Sequence, residues 1–269
     1  MLVNGKPGSV ISIRNRGLLY GDGVFRTLRT AQGKAQHWPL HFQKLQHDCT
    51  ALGISCPEEA QLSSELHNLL DVHSDGVLKV IVTRGVGTRG YAPPAESKPV
   101  HLWDASALPD YPLDWVLQGV KVRLCQIRLS HQPALAGIKH LNRLENVLAA
   151  AESTDACCAE GILLDRAGNV IEGTRSNLFM VRNGELITPE LSNCGVAGVQ
   201  RERVKLWAEV NQIPCREIQF GLTELLEADE LFLVNSLIGL WPVRELQGRM
   251  WSQHTLGLQI QEWLNRATD

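Results

Sequence analysis

The chain has 269 residues, 44% of them hydrophobic and 20% charged, with a formal net charge of −3. That length suits one large domain or two smaller ones with a sizeable core. The absence of a basic excess excludes a general nucleic-acid binder, and seven cysteines without a C-x-x-C pair argue against a disulfide framework or a metal site.

Taken in order, MLVNGKPGSVISIRNRG holds no apolar run resembling a leader peptide. Short strands are expected at VISIR and GVFRTLRT, followed by a turn around Gly33. Pro39 opens a helix whose apolar positions Phe42, Leu45, Cys49 and Leu52 step by three and four. A second helix follows Pro57, with Leu62, Leu66, Leu69 and Leu70 on one face. Strands follow at Val77–Thr83 and 100–105, then the proline- and aspartate-rich linker ALPDYPLD.

Beyond the linker, GVKVRLCQI reads as a strand and LNRLENVLAAAES as a helix aligning Leu141, Leu144, Leu148 and Ala151. Hairpins are expected at GILLD-RAGN-VIEG and around Asn183-Gly184. A helix over residues 200–211, a strand over 230–234 and a C-terminal helix complete an α+β pattern. The longest apolar stretch, LFLVNSLIGLWPV, is too short for a membrane span and is interrupted by Asn235. A soluble cytoplasmic protein is expected.

The run Gly85-Val86-Gly87-Thr88-Arg89-Gly90 matches G-x-G-x-x-G after a strand, but Pro93-Pro94 follows where a dinucleotide fold needs a helix. It reads either as a surface loop or as a binding loop presenting Arg84, Arg89 and Tyr91 to an anion.

Lys139, in LAGIKHLNRLEN, stands at the front of an expected helix. It is either a solvated charge or a nucleophilic amine; burial beside Ile138 and the neighbouring His140 and Arg143 favour an amine's neutral form. Glu172 closes the strand VIEG before the turn GTRSN. It reads as an exposed turn acid or as a carboxylate held against a pyridinium nitrogen. Gly195 to Gly198 run into a helix at Val199 and Gln200, where backbone N–H groups suit a phosphate. Asn235-Ser236, leaving the strand ELFLV, offers a second phosphate position.

Together these parts resemble the fold-type IV pyridoxal-phosphate enzymes, the class IV aminotransferase family. The resemblance extends from YGDGVFRTLR (20–29) to NSLIGLWPV (235–243). Within the family, RG-x-G-x-RGY and IKHLNRLE are more similar to aminodeoxychorismate lyases than to transaminases. The resemblance implies a homodimer of two-domain subunits: a small N-terminal α+β domain (1–106), a linker (107–114) and a larger cofactor-binding domain with a barrel-like sheet (115–269). It implies that Lys139 forms the Schiff base and moves protons, and that Glu172 holds the pyridine nitrogen of pyridoxal 5'-phosphate. Gly198, Val199, Gln200, Asn235 and Ser236 would hold the phosphate. Lys44 stands where the family often has an arginine, so a point charge replaces a fork. The implied reaction converts 4-amino-4-deoxychorismate to 4-aminobenzoate and pyruvate. Arg89, Arg84, Tyr91 and Arg26 or Arg29 are the candidates for its two carboxylates. The alternative on this scaffold is a branched-chain or D-amino-acid transaminase, which needs a keto-acid acceptor.

Overall fold

Alternation along GVFRTLRTA puts Val24, Arg26, Leu28 and Thr30 on one face of the strand Gly23–Ala31, and all four are buried. The computed structural model describes residues 1–153, 155 and 157–266. It divides into two compact units: Met1–Pro109 with Ile138–Asn142, and Asp110–Gly137 with the described residues from Arg143 onward.

In the first unit Gly23–Ala31 pairs antiparallel with Gly76–Thr83, which pairs in turn with Val100–Ser106. Short strands at Leu2–Val3, Lys6–Pro7 and Lys34–Ala35 extend this into a six-stranded sheet. The helices Trp38–Ala51 and Glu59–Leu70 cover one face, burying Phe42, Leu45, Leu62 and Leu66 against Val24, Leu28, Leu78 and Val80. Gln32 and Gly33 take φ of 53° and 71°, the left-handed pair that closes the tight turn before Lys34.

VISIR forms no strand. Val10 and Ile13 lie exposed, and Asn15 caps a helix at Arg16–Tyr20 by accepting the Gly17 N–H at 2.8 Å. The alternation is present there, but among the described residues no strand pairs with it. The glycine run after Thr83 continues without helix to Pro99.

The second unit holds a nine-stranded sheet centred on Glu230–Asn235, Gly239–Leu246, Val120–Leu129 and Cys158–Asp165. Two hairpins extend it, Cys158–Asp165 with Val170–Gly173 and Asn177–Arg182 with Glu185–Pro189, and the short strands Cys215–Ile218 and Arg249–Met250 complete it. Asn183 and Gly184 make the second turn with φ of 52° and 77°. The helices Val199–Val210 and Thr255–Arg266 cover Phe179 and Phe232 with Val204, Trp207 and Ile260.

The expected helix after Lys139 begins later, at Leu144, and ends at Ala151. Leu141 lies outside it, Leu144 and Leu148 are exposed, and Ala149 is the residue turned inward. Lys139 is therefore in extended chain. Its neighbour His140 bridges Val24, and the Leu141 N–H donates to Gly23 O at 3.0 Å. Among the described residues, no helix is long and apolar enough to cross a membrane.

Candidate active site

In the first unit, the Lys139 peptide is bonded on both sides. Its carbonyl accepts the Phe25 N–H at 3.0 Å, and its own N–H donates to Asp48 Oδ2 at 3.0 Å. The Lys139 ammonium lies 4.6 Å from the centre of the Phe25 ring. Asp48, on the helix Trp38–Ala51, is fully buried and also takes the Arg26 guanidinium. Lys44, one turn earlier, brings its ammonium to 3.7 Å from Asp48 Oδ1.

This overturns one expectation. Arg26 is 2% exposed and faces Asp48 inside the sheet–helix layer, so it serves the fold and not a substrate carboxylate. Removing either partner would strand a buried charge, a loss of about 3–5 kcal/mol.

Arg84 is likewise committed. Its Nε–H donates to Asp22 Oδ2 at 2.8 Å, and its two terminal nitrogens donate to Gly53 O and Leu52 O, both at 2.7 Å. It thus caps the carbonyl end of the helix Trp38–Ala51. The loop behind it is held by a residue that the sequence did not single out. Arg16 donates to Asp22 Oδ2 at 2.8 Å, to Gly90 O at 3.0 Å and to Tyr91 O at 2.7 Å. Arg89 and Tyr91 are exposed on that loop, and the Tyr91 ring meets Tyr20 edge-on at 5.4 Å. Arg29 is half-buried.

In the second unit, Glu172 is buried, not an exposed turn acid. Its Oε2 accepts the Val196 N–H at 2.8 Å. Gly195 is needed beside it: its φ is 86°, and a Cβ there would meet Ile171 at 2.7 Å and Leu191 at 2.8 Å. Asn177, also missed in the sequence, fixes the next residues through Nδ2–H to Val196 O (2.7 Å) and Gly198 N–H to its Oδ1 (3.1 Å). A Cβ on Gly198 would sit 2.4 Å from that oxygen.

The helix Val199–Val210 then starts without a side-chain cap. The N–H groups of Val199 and Gln200 precede the first intrahelical bond, Glu202 N–H to Gly198 O at 3.3 Å, and face forward with the positive helix end. The Gly198 N–H is spent on Asn177, which removes it from the expected phosphate set. The Gln200 side chain accepts from Arg203 at 2.9 Å, so its backbone is the part on offer.

Asn235 also departs from expectation. Its Nδ2–H donates to Arg175 O at 3.1 Å, and its Oδ1 accepts from Leu237 N (2.8 Å) and Ile238 N (3.0 Å). Its side chain organises two turns and is not available as a phosphate ligand. Ser236 follows it, half-buried. The turn after Glu172 is further anchored by buried Glu160, which accepts the Ser176 hydroxyl at 3.0 Å and the Thr174 N–H at 3.1 Å.

Burial pushes the Cys125 and Cys194 thiols up to about 11 and about 12, so neither is a nucleophile at neutral pH. Among the described residues, no cluster of His, Cys, Asp and Glu could hold a metal ion. A lysine, a buried acid and an uncapped helix start are what these residues offer to chemistry.

The amino-transferase class IV family model matches residues 23–246, which contain all three. The chain belongs to the class IV aminotransferase family. Among its relatives, an aminodeoxychorismate lyase of Vibrio harveyi is 38% identical over 242 residues, covering 90% of this chain and 89% of that protein. A putative branched-chain-amino-acid aminotransferase of Methanocaldococcus jannaschii is 32% identical, covering 92% and 86%. The crystal structure of 4-amino-4-deoxychorismate lyase from Pseudomonas aeruginosa superposes with a TM-score of 0.95 at 44% identity, covering 99% of this chain and 98% of that one. The class IV fold accounts for the mixed α+β architecture and its curled half-barrel sheet.

Proposed function

We propose that this class IV protein is a pyridoxal-phosphate-dependent lyase that converts 4-amino-4-deoxychorismate to 4-aminobenzoate and pyruvate. The likeness to a lyase at 44% identity over both whole chains carries the reading. The residues fit the cofactor. Glu172 is a buried carboxylate steadied by the Val196 N–H, and the helix at Val199 starts without a side-chain cap, which suits an anion. Lys139 would hold the cofactor's aldehyde carbon and Glu172 its ring nitrogen. The N–H groups of Val199 and Gln200, with the Ser236 hydroxyl, would hold its phosphate, and Lys44 would add positive charge.

When bound, pyridoxal phosphate supplies an electron sink that makes the substrate C–H beside the amino group acidic. Displaced from the cofactor's aldehyde carbon by the substrate's 4-amino group, Lys139 Nζ would take the proton from ring C4 of the substrate. As that electron pair enters the ring, the bond to the enolpyruvyl oxygen breaks and the ring becomes aromatic. The proton on Lys139 then goes to the departing enolpyruvate, which leaves as pyruvate. Glu172 would face the ring nitrogen and hold a proton there. On the substrate side, Arg89 and Tyr91 are the remaining proposals for binding the two carboxylates, joined by Arg29.

We also assign residues 1–106 and 115–269 as the two domains joined by a linker at 107–114. The break between Pro109 and Asp110 supports the linker, while Ile138–Asn142 departs from the division by packing with the first unit. A homodimer is supported by the exposed Leu144, Val147 and Leu148 on one helix, and a cytoplasmic location by seven free cysteines.

The test is turnover without an acceptor. Loaded with cofactor and given 4-amino-4-deoxychorismate alone, the protein should release 4-aminobenzoate and pyruvate in equal amounts. No product there, together with amino transfer between ordinary amino acids and keto acids, would identify a transaminase instead.

A further inference from the structure

Catalysis by Lys139 needs its backbone placed as firmly as its side chain, because a misplacement of about 1 Å can lower a rate roughly 100-fold. One side of the Lys139 peptide is fixed by ordinary strand pairing, through the Phe25 N–H to Lys139 O at 3.0 Å. The other side carries the Lys139 N–H, which has a side-chain acceptor, Asp48 Oδ2, at 3.0 Å. Asp48 arrives from the helix Trp38–Ala51, 91 residues earlier in the chain, and is 0% exposed.

A buried carboxylate is costly, and a neutral side chain such as Asn could accept one N–H as well. Asp48 instead has its charge met by Arg26, projecting from the middle of the strand that Lys139 pairs with. The strand and the helix are thus pinned to each other by the ion pair. Both then hold the one peptide, the strand through Phe25 and the helix through Asp48. Lys44 and His47 touch Oδ1, at 3.7 Å and 3.1 Å, while Lys139 and Arg26 touch Oδ2.

We propose that Asp48 is a positioning residue for Lys139, fixing the lysine backbone through its N–H while Arg26 holds the carboxylate in place. This rests on the reading of Lys139 as the catalytic amine. It assigns no contact between Asp48 and substrate or cofactor. Its effect is to hold the root of the Lys139 side chain so that Nζ swings from a fixed point.

Two double variants isolate that bond. Arg26→Met/Asp48→Asn and Arg26→Met/Asp48→Leu both remove the buried ion pair, and only the first keeps an oxygen that can accept the Lys139 N–H. Both are loaded with cofactor, and kcat and KM are measured alongside thermal melts. In the cofactor-free proteins, hydrogen exchange is read at the Lys139 amide. The asparagine variant should keep most of the parent kcat. The leucine variant should lose kcat by up to about 100-fold at similar KM, with faster exchange at Lys139. A merely structural role would lower both melts and leave the two variants alike in kcat and exchange, which overturns the proposal. The native protein provides a reading that needs no variant: its Lys139 amide should be strongly protected, and exchange at an unfolded rate also overturns the proposal. Failure of the underlying reading looks different, since Lys139→Ala would then retain turnover whatever stands at position 48.

Discussion

The Val196 N–H donates to Glu172 Oε2 at 2.8 Å, so a buried acid is tied to the glycine turn that launches the helix Val199–Val210. One bond thereby sets the acid relative to the anion-binding helix start. Glu172→Gln keeps an oxygen for Val196 but removes the negative charge. Its kcat should fall by about 100- to 1000-fold, the scale of losing one preorganised electrostatic group, with a melt close to the parent. Steady-state rates and thermal denaturation check this. An unchanged kcat would mean that the charge does no work in turnover.

Asp22 sits between Arg16 and Arg84 under the glycine loop. Burial acts to raise its carboxyl, but hydrogen bonds and charge from Arg84 and Arg16 outweigh that and hold it below the ordinary 3.8. A depressed carboxyl stabilises the fold when ionised, so its contribution is complete above the unfolded value and is lost as pH falls through the lower folded one. Asp22→Asn should therefore melt several degrees lower than the parent near neutral pH, at roughly 2–4 °C per kcal/mol for a chain of this size. The gap should close as pH drops below 3.8. Melts across an acid series decide it, and a gap that stays constant would show that the charge contributes nothing.

Asn235 and Ser236 are neighbours with opposite expected phenotypes. Asn235→Ala removes the acceptor for Leu237 and Ile238 and the donor to Arg175. It should cost about 1–3 kcal/mol of stability, read from denaturant unfolding of the cofactor-free protein. Ser236→Ala should leave unfolding nearly unchanged and weaken cofactor binding in a fluorescence titration. Equal effects at the two positions would contradict the division of roles.

Much of the architecture is legible in the sequence because its periodicity is local. Leu62, Leu66, Leu69 and Leu70 mark a helix face whatever lies opposite, and Asn183-Gly184 marks a hairpin through its own backbone preference. VISIR shows the limit, since alternation makes a strand only where an edge is waiting. Leu144 and Leu148 show another: their spacing suggests a core face, yet both are exposed. The glycine-led helix start was legible along the chain, while Glu172 stood there with two readings until its burial set the exposed one aside.

Asp48 was not legible along the chain. It reads as an ordinary polar residue between Leu45 and Cys49, and its role exists only once Arg26 and the Lys139 backbone reach it through space. A signal was available in Arg26 itself. An arginine alternating with Val24 and Leu28 on the buried face of a strand requires an acid inside the layer. The same logic separates Arg84, whose donors are spent on Asp22 and two carbonyls, from exposed Arg89.

The central claim is that Lys139, among eight lysines, is the one that carries the chemistry. Borohydride reduction of the pyridoxal-phosphate-loaded protein, followed by peptide mass mapping, tests it directly. The account predicts a phosphopyridoxyl mass on Lys139 alone, and its loss in Lys139→Ala together with the formation of 4-aminobenzoate. Modification of another lysine with Lys139 unmodified, or undiminished 4-aminobenzoate production by Lys139→Ala, would contradict it.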